Sequence, residues 1–377
     1  MTKIFHNKIM AQMMSERYRK LIIVVFLMLS ILITGSIEHI TIPLILSQMA
    51  SLYFVTLLST FSGCLYYLII LLSVSKFRLS KPRQYRLIFA SAVCNSMITV
   101  CFIYSASPMR TPVVIQTIFL GLTIIPSSLL TKFYLKKPVE YRAVFLVLSL
   151  SLLAVSVVLS IIPLIMDTEH SSGENGVSWW IAGYLCGVLF LSFDNILQEK
   201  YAMVTDDLNI KNRLSFAFYS SLTQLAILLC LFWIDPILGY TDDSFGAFIE
   251  SAKFVFTSAA HFFTIESIFI DFVILYVMSI CLNSISANYN MILTNLTNQS
   301  IAIFYLIFPA LNHGIKHKWY FAVPSLVCNI VSVVLWMKCE QGVWKRDTHH
   351  QNLTTNSEKT PLDQEEISSN ATLPGEV

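Results

Sequence analysis

The sequence predicts an all-α, polytopic membrane protein of ten transmembrane helices arranged as two inverted five-helix repeats. Three observations predict it. Of the 377 residues, 55% are hydrophobic and 13% charged, whereas a soluble domain carries about a quarter charged, and the mean hydropathy is +0.66. The apolar residues gather into runs of bilayer length. Polar landmarks also recur at one spacing: Gln116 precedes Pro126 by ten residues, and 183 residues further on Gln299 precedes Pro309 by ten.

A hydrocarbon core of about 30 Å takes roughly 20 apolar residues per helix, and the need to satisfy every backbone group in lipid makes each such run a helix. The runs are Leu21–Thr41, Leu46–Val74, Leu87–Ser107, Val113–Leu135, Ala143–Met166, Trp179–Gln198, Leu214–Ile234, Ile268–Ser286, Tyr289–Leu311 and Trp319–Met337. The run from Leu21 has no small-x-small cleavage site after it and reads as a retained first span. Residues 1–20 read as an amphipathic segment on the cytosolic surface, with Ile4, Phe5, Ile9 and Met13 inward.

Charge sorts with this layout. A cytosolic N-terminus collects the cations of 1–20, the cluster Lys76, Arg78, Lys81, Arg83 and Arg86, and later Lys132, Lys136, Lys137, Arg142, Lys200, Lys211 and Arg213 on one side. Only Arg110, Lys253, Lys316 and Lys318 fall opposite, so both termini are expected in the cytosol. The far side is acidic instead, with Asp167, Glu169, Glu174, Asp242, Asp243, Glu250 and Glu266.

The chain therefore divides into the segment 1–20, a first repeat over 21–166, a far-side loop over 167–178, a second repeat over 179–338 and a tail over 339–377. Ser, Thr, Glu and Asn dominate the tail without periodicity, which predicts disorder. Within the second repeat, 236–268 forms a far-side juxtamembrane loop. Its Phe245, Phe248, Ile249, Ala252 and Phe256 fall at helical spacing, which reads either as an amphipathic helix on the leaflet or as an aromatic-rich linker.

Polar side chains inside spans are expensive and face the bundle interior. The pathway candidates are Asn95, Gln116, Thr123, Asn195, Gln224, Asn283, Asn298 and Gln299, with Arg110 at the far-side mouth. Each amide has two readings, a solute contact or helix-helix glue. Glu38, His39 and Asp194 are the proton-coupling candidates, because a carboxyl group or an imidazole in such a place can take up and release a proton. All three also read as residues at headgroup level. Pro126 and Pro309 are candidate kinks for a gate.

Other chemistries lack their residues. The eight cysteines form no CxxC pair and no metal spacing. No nucleophile-base set, HExxH or Gly-rich phosphate loop stands in the chain, so neither an enzyme nor a cofactor, metal or nucleic-acid partner is expected. The expected partners are a small solute, protons and the bilayer.

Five spans followed by five related ones of opposite orientation is the plan of secondary transporters. RTPVVIQ with the following apolar run, Pro126 and the basic exit FYLKK resembles the fourth span of the chloroquine-resistance-transporter-like family of the drug/metabolite transporter superfamily. DNILQEKY, with Asn195 and Glu199, and SSLTQLAILL, with Gln224, resemble its sixth and seventh spans. The family's loop cysteines are missing from 236–268, and its Gln-Gly-Pro of the ninth span is replaced by the neighbourhood of Thr297, Asn298 and Gln299.

The resemblance implies the drug/metabolite transporter fold in an acidic vacuolar or lysosomal membrane. It also implies proton-coupled movement of cationic drugs, amino acids, small peptides or thiols toward the cytosol. Two alternatives stand beside it: a Golgi nucleotide-sugar transporter, which needs cavity cations for phosphate, and a non-transporting scaffold or receptor working through its tail.

Overall fold

The computed structural model describes residues 48–75, 84–105, 119–136, 143–168, 177–205 and 210–283 continuously, with single helical residues or short groups within 26–45, at 116, within 287–308 and within 320–336. It is all-helical, with no strand among the described residues. The helices are α1 (Leu52–Val74), α2 (Tyr85–Ser105), α3 (Ile124–Phe133), α4 (Ala143–Thr168), α5 (Val177–Thr205), α6 (Ile210–Leu229), α7 (Ile234–Ile237), α8 (Ser244–Thr257) and α9 (Ala259–Asn283). Among the described residues, four are long and apolar enough to cross a membrane: α1, α2, α5 from Trp179, and α9. Glu38, His39, Arg110, Asn298, Gln299, Pro309, segment 1–20 and tail 339–377 lie outside the described residues.

α1 and α2 each carry an exposed apolar stripe and a buried face that includes small and polar groups. On α1 the outer stripe is Phe61, Leu65 and Ile69, four residues apart, and on α2 it is Phe89, Val93 and Met97. Stripes of this kind suit lipid rather than water. The inner face of α1 holds Thr56, Thr60, Gly63, Cys64, Tyr67 and Leu71. Thr56 and Thr60 donate to the carbonyls of Leu52 and Thr56, so neither hydroxyl is stranded among apolar neighbours.

α2 packs between α5 and α6, α1 against α6 and α9, and α3 along α5. α1 and α6 run antiparallel: Tyr53 OH donates to the Leu228 carbonyl (3.0 Å), and Cys64 Sγ to Ser221 Oγ (3.3 Å). Two apolar clusters fill the bundle. One, around Tyr67, Ile88, Phe216 and Ile280, lies toward the Asn283 end. The other, around Leu52, Phe54, Tyr104 and Phe269, lies toward the Ser51 end.

The closest approach is between α2 and α5. A Cβ on Gly187 would meet Phe102 Cε1 at 2.6 Å and Cys101 Cβ at 3.0 Å, and one on Gly183 would meet Ser105 Oγ at 2.9 Å. The spacing of four is the small-xxx-small device of membrane helix pairs. Gly63 on α1 is different, since an added Cβ there meets nothing closer than 3.8 Å. Gly187→Ala is therefore expected to destabilise the protein by about 1–3 kcal/mol through overpacking, while Gly63→Ala is neutral or stabilising by up to about 1 kcal/mol through helix propensity. Melting of the two purified variants in detergent checks this; equal melting would refute the close packing.

Element boundaries depart from expectation in several places. α1 starts at Leu52 rather than Leu46, because Ser51 caps it by accepting from Phe54 N (3.1 Å). α5 extends to Thr205, and α6 stops at Leu229, followed by turns and the short α7. α9 starts at Ala259, so Glu266 stands inside a helix instead of in a far-side loop. Before Pro126 the chain tightens: Thr123 N and Ile125 N bond the carbonyls three residues back, Leu120 and Leu122. Proline has no N–H to offer Leu122, and Ile125 takes that carbonyl at 3.0 Å instead.

α8 is a helix, with Asp243 capping it by accepting from Gly246 N (2.9 Å). Its inward face is Ala247, Phe248, Ser251 and Val255, turned by about a quarter of the helix circumference from the expected one. Phe245 and Phe256 are exposed, and Lys253 and Glu250 mark the polar side. The reason is contact: α8 packs on α1 and α9, and Ser251 Oγ accepts from Ser51 N (2.9 Å).

α4 meets the helical residues 320–336 antiparallel. Ser149 and Ser332 each donate to the other's backbone carbonyl at 2.8 Å, and Ser156 and Ser325 do the same at 2.9 Å.

Candidate functional site

The C-terminal half of α5 supplies four buried polar side chains in two i, i+4 pairs, Asp194 with Gln198 and Asn195 with Glu199. Both pairs lie on one side of the helix, facing α2 and α9. Asp194 accepts from Ser91 of α2 and from Gln198 Nε2 (2.6 Å). Ser220 of α6 donates to Ser91 Oγ at 3.4 Å. Gln198 Oε1 accepts from Asn283 Nδ2 at 2.7 Å, and Asn195 Oδ1 accepts from the same Nδ2 at 2.6 Å and from Asn290 Nδ2 at 3.0 Å. Glu199 closes the group by accepting from Ala287 N at 2.9 Å.

α2, α5, α6, α9 and the segment after α9 thus meet in one hydrogen-bonded network. Asp194 is 2% exposed, so its side chain lies in the bundle interior. Of the expected pathway residues, Asn195 and Asn283 join it directly. Asn95, one turn from Ser91, donates to Tyr276 OH of α9 at 2.9 Å. Gln224 lies a turn further along, donating to Thr99 Oγ1 at 3.0 Å. Thr123 does not join: its hydroxyl bonds Leu120 O, and its carbonyl meets Ser192, on the opposite face of α5 from Asp194. Gln116 is buried in the stretch leading to α3.

Two further carboxylates escaped the sequence reading. Asp235, 1% exposed, accepts from Ser51 Oγ (2.6 Å), Tyr53 N (3.2 Å) and Tyr104 OH. It lies against the N-terminus of α1, where helix amides and dipole favour a negative group. Glu266 accepts from Ser62 Oγ (2.8 Å) and Tyr66 OH (2.6 Å), both on α1.

Asp194, Asp235 and Glu266 all follow residue 177, and these partners from other helices lie on α1, α2 or the Ser51 cap. They stitch α1 and α2 to α5, α7 and α9 at different depths. Gln198 was findable from its i, i+4 spacing to Asp194, and Glu266 from the period of Ile265, Phe269 and Val273. Ser91 carries no such signal among the many span serines.

No protein-family model matches the chain, and no curated protein matches it.

Proposed function

We propose that the chain is a secondary carrier of ten helices in two inverted halves. It moves small organic solutes, cationic drugs, amino acids, small peptides or thiols, across an acidic-organelle membrane toward the cytosol by proton-coupled alternating access. The resemblance to the chloroquine-resistance-transporter-like family belongs to this reading. The observation that carries it is the buried network around Asp194. Five chain segments place amides and a carboxylate together inside an apolar bundle, where polar groups without a role are selected against.

The inverted-repeat part draws support from the α4 seam. Ser149 and Ser332 are 183 residues apart, the spacing that relates Gln116 to Gln299 and Pro126 to Pro309. Helix neighbours also exchange in pairs: α2 against α6 is matched by α9 against α1, and α1 against α2 by α9 against α6. A two-fold operator exchanging halves produces such pairs.

Uptake into liposomes by the purified protein tests the function, with an imposed pH gradient and negative inside potential and labelled amino acids, dipeptides, glutathione and chloroquine as solutes. Gradient-dependent accumulation of one solute class is expected. UDP-sugar exchange in its place would move the protein to the nucleotide-sugar alternative, and no flux with partner binding lost on deleting 341–377 would make it a scaffold.

A further inference from the structure

The Asp194 network has a direction, and the direction leaves two oxygens over. Asn195 Nδ2 donates to the Leu191 backbone carbonyl at 2.9 Å, which can only accept. Its Oδ1 is therefore the atom turned toward Asn283 and Asn290. Gln198 Nε2 donates to the Asp194 carboxylate, so its Oε1 faces Asn283. Asn283 is thus held with its nitrogen toward two acceptors, and a flipped amide would set oxygen against oxygen twice. Asn290 is fixed likewise, its nitrogen on Asn195 Oδ1 and on Ser279 Oγ at 2.6 Å.

What remains is Oδ1 of Asn283 and Oδ1 of Asn290, each buried and without a hydrogen-bond partner. The residues are 0% and 3% exposed. Both amides donate to Asn195 Oδ1, so the two free oxygens belong to side chains that share one acceptor. Buried acceptors left unpaired are unfavourable, and these two cannot be relieved by turning over. Carboxylates stand at both edges of the group, Asp194 beyond Gln198 and Glu199 at the Ala287 amide. The chemistry wanted is several N–H donors on one positive centre.

We infer that the Asn195, Asn283 and Asn290 cluster is the subsite for a primary ammonium group of the solute, with Asn283 Oδ1 and Asn290 Oδ1 accepting its N–H bonds. This rests on the carrier reading and narrows its solutes to those with an unsubstituted cationic amine. A quaternary ammonium has the same charge and no N–H, and a sodium ion has charge alone.

The test is equilibrium binding to the purified full chain in detergent, with benzylammonium, benzyltrimethylammonium and sodium as probes. The wild type is expected to bind benzylammonium at least about tenfold more tightly than its trimethyl counterpart, as charge-assisted hydrogen bonds require. Asn283→Ala should remove that preference, and Asn290→Ala serves the same purpose where Asn283→Ala does not fold. Equal binding of the two amines, no binding of either, or a preference for sodium overturns the subsite, as does discrimination that survives a folded variant. Flux in liposomes without amine selectivity would sink the subsite and leave the carrier; amine-selective binding without flux would do the reverse.

Discussion

Asp235→Ala is expected to lower stability by about 3 kcal/mol or more, since it strips the acceptor from three buried donors at once. Ser51 Oγ, Tyr53 N and Tyr104 OH all point at this carboxylate, and apolar residues surround them. Water has little access to replace it, with Asp235 at 1% exposure. The loss spreads beyond the pair contacts. Ser51 caps α1 and also donates its N–H to Ser251 of α8, so loosening Ser51 frees the start of α1 and the seat of α8 together. Asp235→Asn keeps one accepting oxygen and should fall between wild type and Ala. Melting in detergent reads the series; Asp235→Ala melting with the wild type would show that the cluster holds nothing.

The same residue shows why part of the fold was legible in the sequence and part was not. Hydropathy finds membrane-length runs because lipid and protein interior are both apolar, so the cores of α1, α2, α5 and α9 stood out. It cannot find ends that are set from a distance. Ile45, Leu46 and Met49 are as apolar as the helix they precede, and α1 nonetheless begins after Ser51, whose hydroxyl answers to Asp235 184 residues later. α9 failed in the opposite sense. His261, Thr264, Glu266 and Ser267 dilute the apolar window before Ile268, although Glu266 is matched by Ser62 and Tyr66 across the interface.

For α8 the period was visible and the facing was not. Phenylalanines on two adjacent sectors look alike in sequence, whether they meet Phe54, as Phe248 does at 5.0 Å between ring centroids, or stay exposed, as Phe245 does. The candidate site divides in the same way. Asp194, Asn195 and Asn283 announce themselves as polar groups in apolar helices. The hydroxyls that complete the network do not, because serine is common in these spans and only the α2, α5 and α6 packing selects Ser91 and Ser220.

Asp194→Asn is expected to abolish accumulation driven by a pH gradient while leaving the fold intact, and the network explains why these effects separate. The carboxamide matches the carboxylate in size. Its oxygen can keep the bond from Gln198 Nε2, and its nitrogen can donate to Ser91 Oγ, which accepts as readily as it donates. Melting should therefore stay near that of the wild type. What the substitution removes is the carboxylate that joins α5 to Ser91 of α2, and with it, on the carrier reading, any coupling between proton movement and the arrangement of α2 against α5. If the chain is the proposed carrier, solute exchange in liposomes without a gradient should persist, since that reading requires binding and rocking for exchange but no net proton. Full pH-driven accumulation by a folded Asp194→Asn protein would clear Asp194 of the coupling role. Glu266 would then be the next carboxylate to neutralise, because it joins α9 to α1 through Ser62 and Tyr66.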